Sequence, residues 1–467
     1  MVLLSLVRRV ILLREKTMSK NLNMTQGRPG RLLLSFALPL MFGNIFQQLY
    51  TVVDTAIVGR GVSMEALAAL GTVDWFNWMW LGVAQGFTQG FSVRIAQRFG
   101  EGNEAALRHT AAQSAVLCVA VAVIFTLAGQ LGLPLFLQLL RVPEQLVPMA
   151  RLYARILLAG FPVVTFYNLC SGILRAVGDS KTPLMAMIAA SVTNIVLDLL
   201  AVFVLDLGIA GAAWATVAAQ CLAGILCALR IWKTPQLRFT GKQLRPEGSA
   251  CADLIRIGTP VAAKNVIIAL GGMAVQSVVN GFAMSFIAGF TATNKLYGLL
   301  EIAAISYGYA VTTYVGQNYG AAKPERIRSG MRAGVMLSLL TSIVIALVML
   351  VFGRQITMLF ISSEDPLQAI AAGETAYRYL CAMSFSLPVL YLLYVYQSAL
   401  QGLGNTVIPM ISGMVEFALR VGVAMLVGFL ALENGIFLAE VGAWFGAALI
   451  LCIAYYGDMR RRFPVTK

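Results

Sequence analysis

Long apolar stretches interrupted by short polar segments constrain this chain more than any other feature. They lie near 32–58, 67–93, 111–132, 149–174, 183–205 and 209–231, then 257–281, 285–315, 331–353, 374–400, 408–430 and 436–457. A helix crosses the hydrocarbon of a bilayer with about 20 residues, and each stretch is long enough to do so. With 59% hydrophobic and 12% charged residues, the chain has too few charges to solvate a soluble fold of 467 residues. The spacing therefore predicts an all-α integral membrane protein of twelve transmembrane helices. The net charge of +14 is scattered between apolar spans rather than gathered on one basic face, which argues against nucleic acid.

Lysine and arginine set the orientation. With the N-terminus inside, 26 of the 35 basic residues fall in the cytoplasmic segments or within two residues of them, whereas the opposite side holds Arg60, Arg141, Arg354 and Arg151. Both termini are expected in the cytoplasm, and the protein in the plasma (inner) membrane. Residues 1–17 read as a misassigned start upstream of Met18 rather than a secretory signal, because Arg8 and Arg9 interrupt the apolar run. The expected layout is an arm (1–31), a six-helix lobe (32–231), a linker (232–256), a second lobe (257–457) and a tail (458–467).

The two halves repeat. ALPLMFGN (37–44) matches GTPVAAKN (258–265). VRIAQRFGEGNEAALR (93–108) matches TYVGQNYGAAKPERIR (313–328) at an offset of 220. LRAVGDSKTP (174–183) matches LQGLGNTVIP (400–409) at an offset of 226. Six spans per half, both halves entering from one side, means parallel repeats about a pseudo-two-fold axis near the membrane normal. Substrate is then expected between the lobes, with access alternating as they rock.

Charge inside the spans breaks the symmetry. A carboxylate at membrane depth costs roughly 2.5–3.5 kcal/mol on insertion scales and by default marks an ion or proton site. Asp54 is such a residue, and Gln47 and Tyr50 share its helical face. Asn194 and Asp198 lie four apart on the fifth span, Ala212 and Thr216 four apart on the sixth. Asp54, Asn194, Asp198, the Ala212 carbonyl and Thr216 offer the hard oxygens that Na+ takes. Two carboxylates in a poorly solvated pocket also repel, so that one can carry a proton. The plainer reading of Asn194 and Thr216 is interhelical hydrogen bonding.

The second half carries Lys264, Lys295, Glu301, Glu416 and Arg420 instead. Glu416 and Arg420 are four apart and are expected to form a structural ion pair. Lys264 and Lys295 either pair with Glu301 or line the cavity. For a substrate cavity the candidates are Trp78, Met79, Met273, Gln276 and Tyr297, aromatic, flexible or polar groups suited to lipophilic, cationic small molecules. Seven cysteines lie mostly in apolar runs without metal-ligand spacing, His109 is the lone histidine, and no nucleophile or nucleotide motif is present. No enzyme activity and no cofactor beyond a coupling ion, Na+ or H+, is expected.

LPLMFGNIFQQLYTVVDTAIVGR (38–60), FSVRIAQRFGEGN (91–103), GILRAVGDSKTP (172–183), NIVLDLL (194–200), GIAGAAWAT (208–216) and YVGQNYGAAKPERI (314–327) together resemble the MATE multidrug and toxic compound extruders, over about residues 30–455. The resemblance implies an antiporter of amphiphilic compounds with its cation site in the N-terminal lobe, on the Asp54 cluster, and Tyr153 and Asn168 as outer members of that network. NorM-like members carry further acids in the seventh and tenth spans. Here Ile268 occupies the first position and 376–400 holds no acid, which is similar to the DinF-like branch. A lipid-linked oligosaccharide flippase of the wider superfamily is the alternative, on account of Lys264, Lys295 and Arg420. A duplicated chain contains its own internal axis, so a working monomer in contact with membrane lipid is expected.

Overall fold

The computed structural model describes residues 22–139, 142–358, 361, 366–430 and 432–464; the expectations for residues 1–17 and Arg141 lie outside these. Among the described residues the structure is helical, without strands. The first lobe comprises α1 (Pro29–Gly61), α2 (Met64–Gly100), α3 (Glu104–Leu139), α4 (Val147–Ala159), α5 (Phe161–Ala176), α6 (Lys181–Leu199) and α7 (Gly208–Lys233). The second comprises α8 (Gly248–Val279), α9 (Met284–Leu300), α10 (Ile302–Gly320), α11 (Pro324–Met358), α12 (Pro366–Gly402), α13 (Val407–Phe429) and α14 (Phe437–Arg462). Among the described residues nine helices are long and apolar enough to cross a membrane, ten when α4 and α5 are taken as one bent span, and α2 with the successive helices α9 and α10 completes twelve in two lobes.

The fourth span therefore departs from the continuous helix expected over 149–174. Its two halves meet at Gly160 with a bend of 43°. Pro162 supplies no backbone N–H to bridge the break, and Gly160 allows close approach, since a Cβ there would lie 2.4 Å from a Val217 methyl. Pro388, at the same place in the repeat, sits inside the unbroken α12, where Ser386 stands in place of the glycine. Polar residues set several helix starts. Ser63 Oγ accepts from Ala66 N at 3.1 Å, Asn103 Oδ1 from Ala106 N at 3.0 Å, and Asp179 Oδ1 from Thr182 N at 3.0 Å.

Burial is inverted relative to a soluble fold. Leu131, Val204 and Phe429 stay exposed on the outer faces, as suits contact with lipid. Each lobe has its own apolar core, and the first half of α1 (Leu33, Phe36, Ala37, Leu40) packs into the core of the second lobe. The first helix is thus part of the seam.

Along the seam, backbones touch where side chains are smallest. A Cβ on Gly86 would lie 2.3 Å from Ala262 Cα, and one on Gly90 2.4 Å from Gly258 Cα, so α2 and α8 approach as closely as helices can. Asn265 donates across to Gly82 O at 2.9 Å, and its repeat-mate Asn44 donates to Ser306 Oγ at 3.3 Å.

Candidate transport site

α1 and α6 pack against one another and bring Asp54 and Asp198 together from opposite sides. Both are buried and lie within electrostatic reach of one another. Asn194, one turn before Asp198, is buried beside them. Among the described residues, five side-chain atoms here have no hydrogen-bond partner: Asp54 Oδ1, both Asp198 oxygens and both amide atoms of Asn194. Leaving a buried polar atom unpaired costs roughly 1–3 kcal/mol, so such a concentration calls for an explanation beyond packing. A π-helical turn, Leu200–Val204, follows Asp198 directly and re-aims the chain toward α7.

Tyr50, on the Asp54 face of α1, reaches Gln220 on α7 and lies within Coulombic range of Asp54. Tyr153, buried on α4, closes the pocket within range of Asp54 and Asp198. Ala212 is buried and Thr216 half-buried on α7, the helix packed against α6. Asn168 donates to Val164 O at 2.9 Å and lines the central cavity with Gln47. Sequence reading missed Gln220. It stands one turn beyond Thr216, so the helical spacing that found Thr216 could have found it.

The second lobe answers with a compensated network. Arg420 donates to Glu416 at 2.7 Å and pairs with Glu440 at 2.8 Å. Lys264 is buried in the field of Glu416 and Glu301, and Tyr394 donates to Glu301 at 3.1 Å. Glu440 lies on α14, far from Arg420 in the chain, so no spacing rule could reveal it.

Of the residues expected to face the cleft, two point elsewhere. Met79 packs onto the core between α2, α3 and α4, and Tyr297 stacks on the buried Trp444 at 5.7 Å. In each case an apolar neighbour in its own lobe offers more contact than the cleft. Trp78 is exposed, Met273 half-buried, and Gln276 donates to Asn280 at 2.8 Å. Lys295 is exposed on α9 and lies in Coulombic range of the exposed Asp74 on α2.

At the end of the bundle carrying both termini, the lobes are clasped by repeat-related pairs. Gln97 donates to Gly402 O at 2.9 Å, and Gln317 donates to Ala176 O at 2.8 Å. One turn deeper, Gln89 donates to Gln401 at 3.1 Å, while at the matching place Arg175 lies 4.4 Å over the Tyr309 ring. The arm completes the clasp. Leu22 N donates to Gly178 O of the first lobe at 3.4 Å, and Met24 N donates to Gln317 Oε1 of the second at 2.9 Å. Asn318 and Arg326 both donate to Met24 O.

The MatE family model matches residues 39–200 and 260–426, covering most of both lobes. The chain belongs to the MATE family. A MATE protein is a transporter and not an enzyme, and the apolar helices make it a multi-pass membrane protein that acts on small molecules. Among its relatives, a probable multidrug resistance protein, YpnP of Bacillus subtilis, is 29% identical over 398 residues, 85% of this chain and 88% of that one. An FAD transporter of Shewanella oneidensis is 24% identical over 345 residues, 72% and 75% of the two chains. A solved structure described as the outward-facing conformation of a multidrug resistance MATE family transporter of the MOP superfamily superimposes with a TM-score of 0.87. It is 22% identical, covering 95% of this chain and 98% of that one, and it supports the fold.

Proposed function

We propose that this MATE protein is a plasma-membrane antiporter that exports amphiphilic organic compounds, drugs among them, while Na+ or H+ enters. The pair Asp54 and Asp198, facing each other with unpartnered oxygens beside Asn194, carries this reading. Two carboxylates, an amide, a hydroxyl and a backbone carbonyl are hard oxygen donors, which suit Na+ or a shared proton and offer nothing to a thiolate- or imidazole-seeking metal.

With the termini in the cytoplasm, the clasp seals the inner face, and the arrangement is an outward-facing one. A cation entering from outside neutralises the carboxylate pair, which lets α1 and α6 settle together. Because α1 also packs on the second lobe, that settling is felt at the seam. Linkage then requires the cation-bound arrangement to hold substrate more weakly than the empty one. A membrane potential of 100 mV supplies about 2.3 kcal/mol per charge moved, enough with a chemical gradient to drive accumulation without nucleotide hydrolysis. The compensated charges of Glu416, Arg420 and Glu440 keep the second lobe out of this exchange, and a single chain suffices for the cycle.

Proteoliposomes loaded with ethidium test the reading, with a Na+ gradient and a pH gradient imposed separately on wild type and Asp198→Asn. Na+-driven export that disappears in the variant makes the cluster a sodium site. Export driven by the pH gradient alone makes Asp54 and Asp198 a proton carrier, with Asn194 and Thr216 as supports. Movement under neither gradient rejects antiport and turns attention to the oligosaccharide flippase.

A further inference from the structure

The central cavity is walled by the first lobe, with Tyr309 of the second at its edge, and its polar lining is neutral but for one cation. Asn44, Gln47, Gln85, Asn168 and Gln220 contribute amides, and no carboxylate belongs to its lining among the described residues. The cation is Arg175, on the last turn of α5. Its Nη1 donates to Ser171 Oγ at 2.8 Å, and among the described residues it has no carboxylate partner. Tyr309 of the other lobe lies under the guanidinium at 4.4 Å.

An arginine at the inner end of a span is commonly an anchor to the lipid headgroups. Arg175 does not fit that role, because it turns inward beneath a ring from the opposite lobe and borders the cavity. Its repeat-mate, Gln401, occupies the same station as a neutral residue with a hydrogen bond to Gln89, so closing the seam does not demand a charge there. An uncompensated guanidinium facing amides and aromatic rings is suited to a carboxylate or phosphate, which it can take through two parallel hydrogen bonds.

We infer that Arg175 is an anion subsite at the floor of the transport cavity, and that the substrates are amphiphiles with an apolar, ring-bearing body and a carboxylate or phosphate end. The anionic end engages Arg175, and the body lies against Tyr167 and Tyr309. This rests on the cavity being the transport path, and it replaces the lipophilic cation as the preferred class. Because Tyr309 belongs to the second lobe, an anion that draws the guanidinium away removes one contact of the clasp.

Titration of the full-length protein in nanodiscs with riboflavin and with flavin mononucleotide, followed by flavin fluorescence, tests the subsite. The two probes share a ring system and differ by one phosphate. The phosphate form is expected to bind at least about tenfold more tightly. Arg175→Gln, which installs the residue of the matching station, abolishes the difference while leaving thermal unfolding in place, and Arg175→Lys retains part of it. A wild type that treats the two flavins alike, weakly or not at all, overturns the inference, as does an unchanged preference in Arg175→Gln. The assay needs no gradient. Ethidium export without a phosphate preference discards the subsite and keeps the antiporter, whereas a phosphate preference with no gradient-driven movement of ethidium or flavin mononucleotide keeps the subsite and discards the antiporter.

Discussion

Asp54, Asn194 and Asp198 were legible in the sequence because a polar group in an apolar helix has few reasons to be there, and because residues four apart share a face. Their partners on other helices were not. Gln220 lies one turn beyond Thr216 and was within reach of the same spacing, but Glu440 and Arg175 acquire meaning only across a helix interface, which no linear spacing encodes. Asp54→Asn removes half of the carboxylate pair and is expected to lower export in proteoliposomes at least about a hundredfold, with normal insertion and size-exclusion behaviour. The clasp and the second lobe should be untouched. Arg420→Leu belongs to a different class. It strands Glu416 and Glu440 against each other in a buried site, and removal of one partner from a buried pair costs about 3–5 kcal/mol. A marked fall in thermal unfolding temperature is therefore expected, measured in detergent. Unaltered stability would show that Arg420 is not the counter-charge of the two glutamates.

Among the elements, the helices themselves followed from apolar length, but two of their interruptions did not. Pro162 and Pro388 hold equivalent places, yet the chain breaks only at the first, where Gly160 precedes it. Sequence alone ranks the prolines equally, and the glycine's close contact with Val217 makes the difference. The same sensitivity to one methyl governs the seam. A Cβ on Gly100 would lie 1.9 Å from Gln317 O, and one on Gly320 would lie 1.9 Å from Gln97 O. Both distances are far inside van der Waals contact, so Gly100→Ala and Gly320→Ala must each prise the clasp apart. Spin labels on the exposed positions Ala105 and Ser329 should report a longer, inward-open distance in either variant and a short one in wild type. Distances unchanged from wild type would mean that the two helices can slide without opening.

For the whole molecule, the duplication visible at offsets of 220 and 226 carries through to individual hydrogen bonds. Gln97 with Gly402 and Gln317 with Ala176 are one interaction written twice. Each glutamine, once truncated to alanine, strands a buried carbonyl at a cost of about 1–3 kcal/mol. Gln97→Ala and Gln317→Ala should accordingly each raise the open population in the spin-label measurement, and the double variant by roughly the product of the two factors. The arm adds an asymmetry, since the Gln317 oxygen accepts from Met24 of the arm, whereas the Gln97 oxygen accepts from Arg94 on its own helix. Gln317→Ala should therefore be the more severe of the two.

That asymmetry also has a consequence for biosynthesis. Met24 leaves the ribosome well before Gln317, Asn318 and Arg326, which lie some 300 positions later in the chain. At about 5–20 residues per second, the arm waits on the order of 15–60 s before its seat exists. The first lobe can insert and pack on its own schedule, but the clasp is set only when the second lobe arrives to receive the beginning of the chain. A half-made transporter therefore has no clasp to close, and the order of synthesis itself assigns the final act of assembly to the contact that defines which side of the membrane is shut.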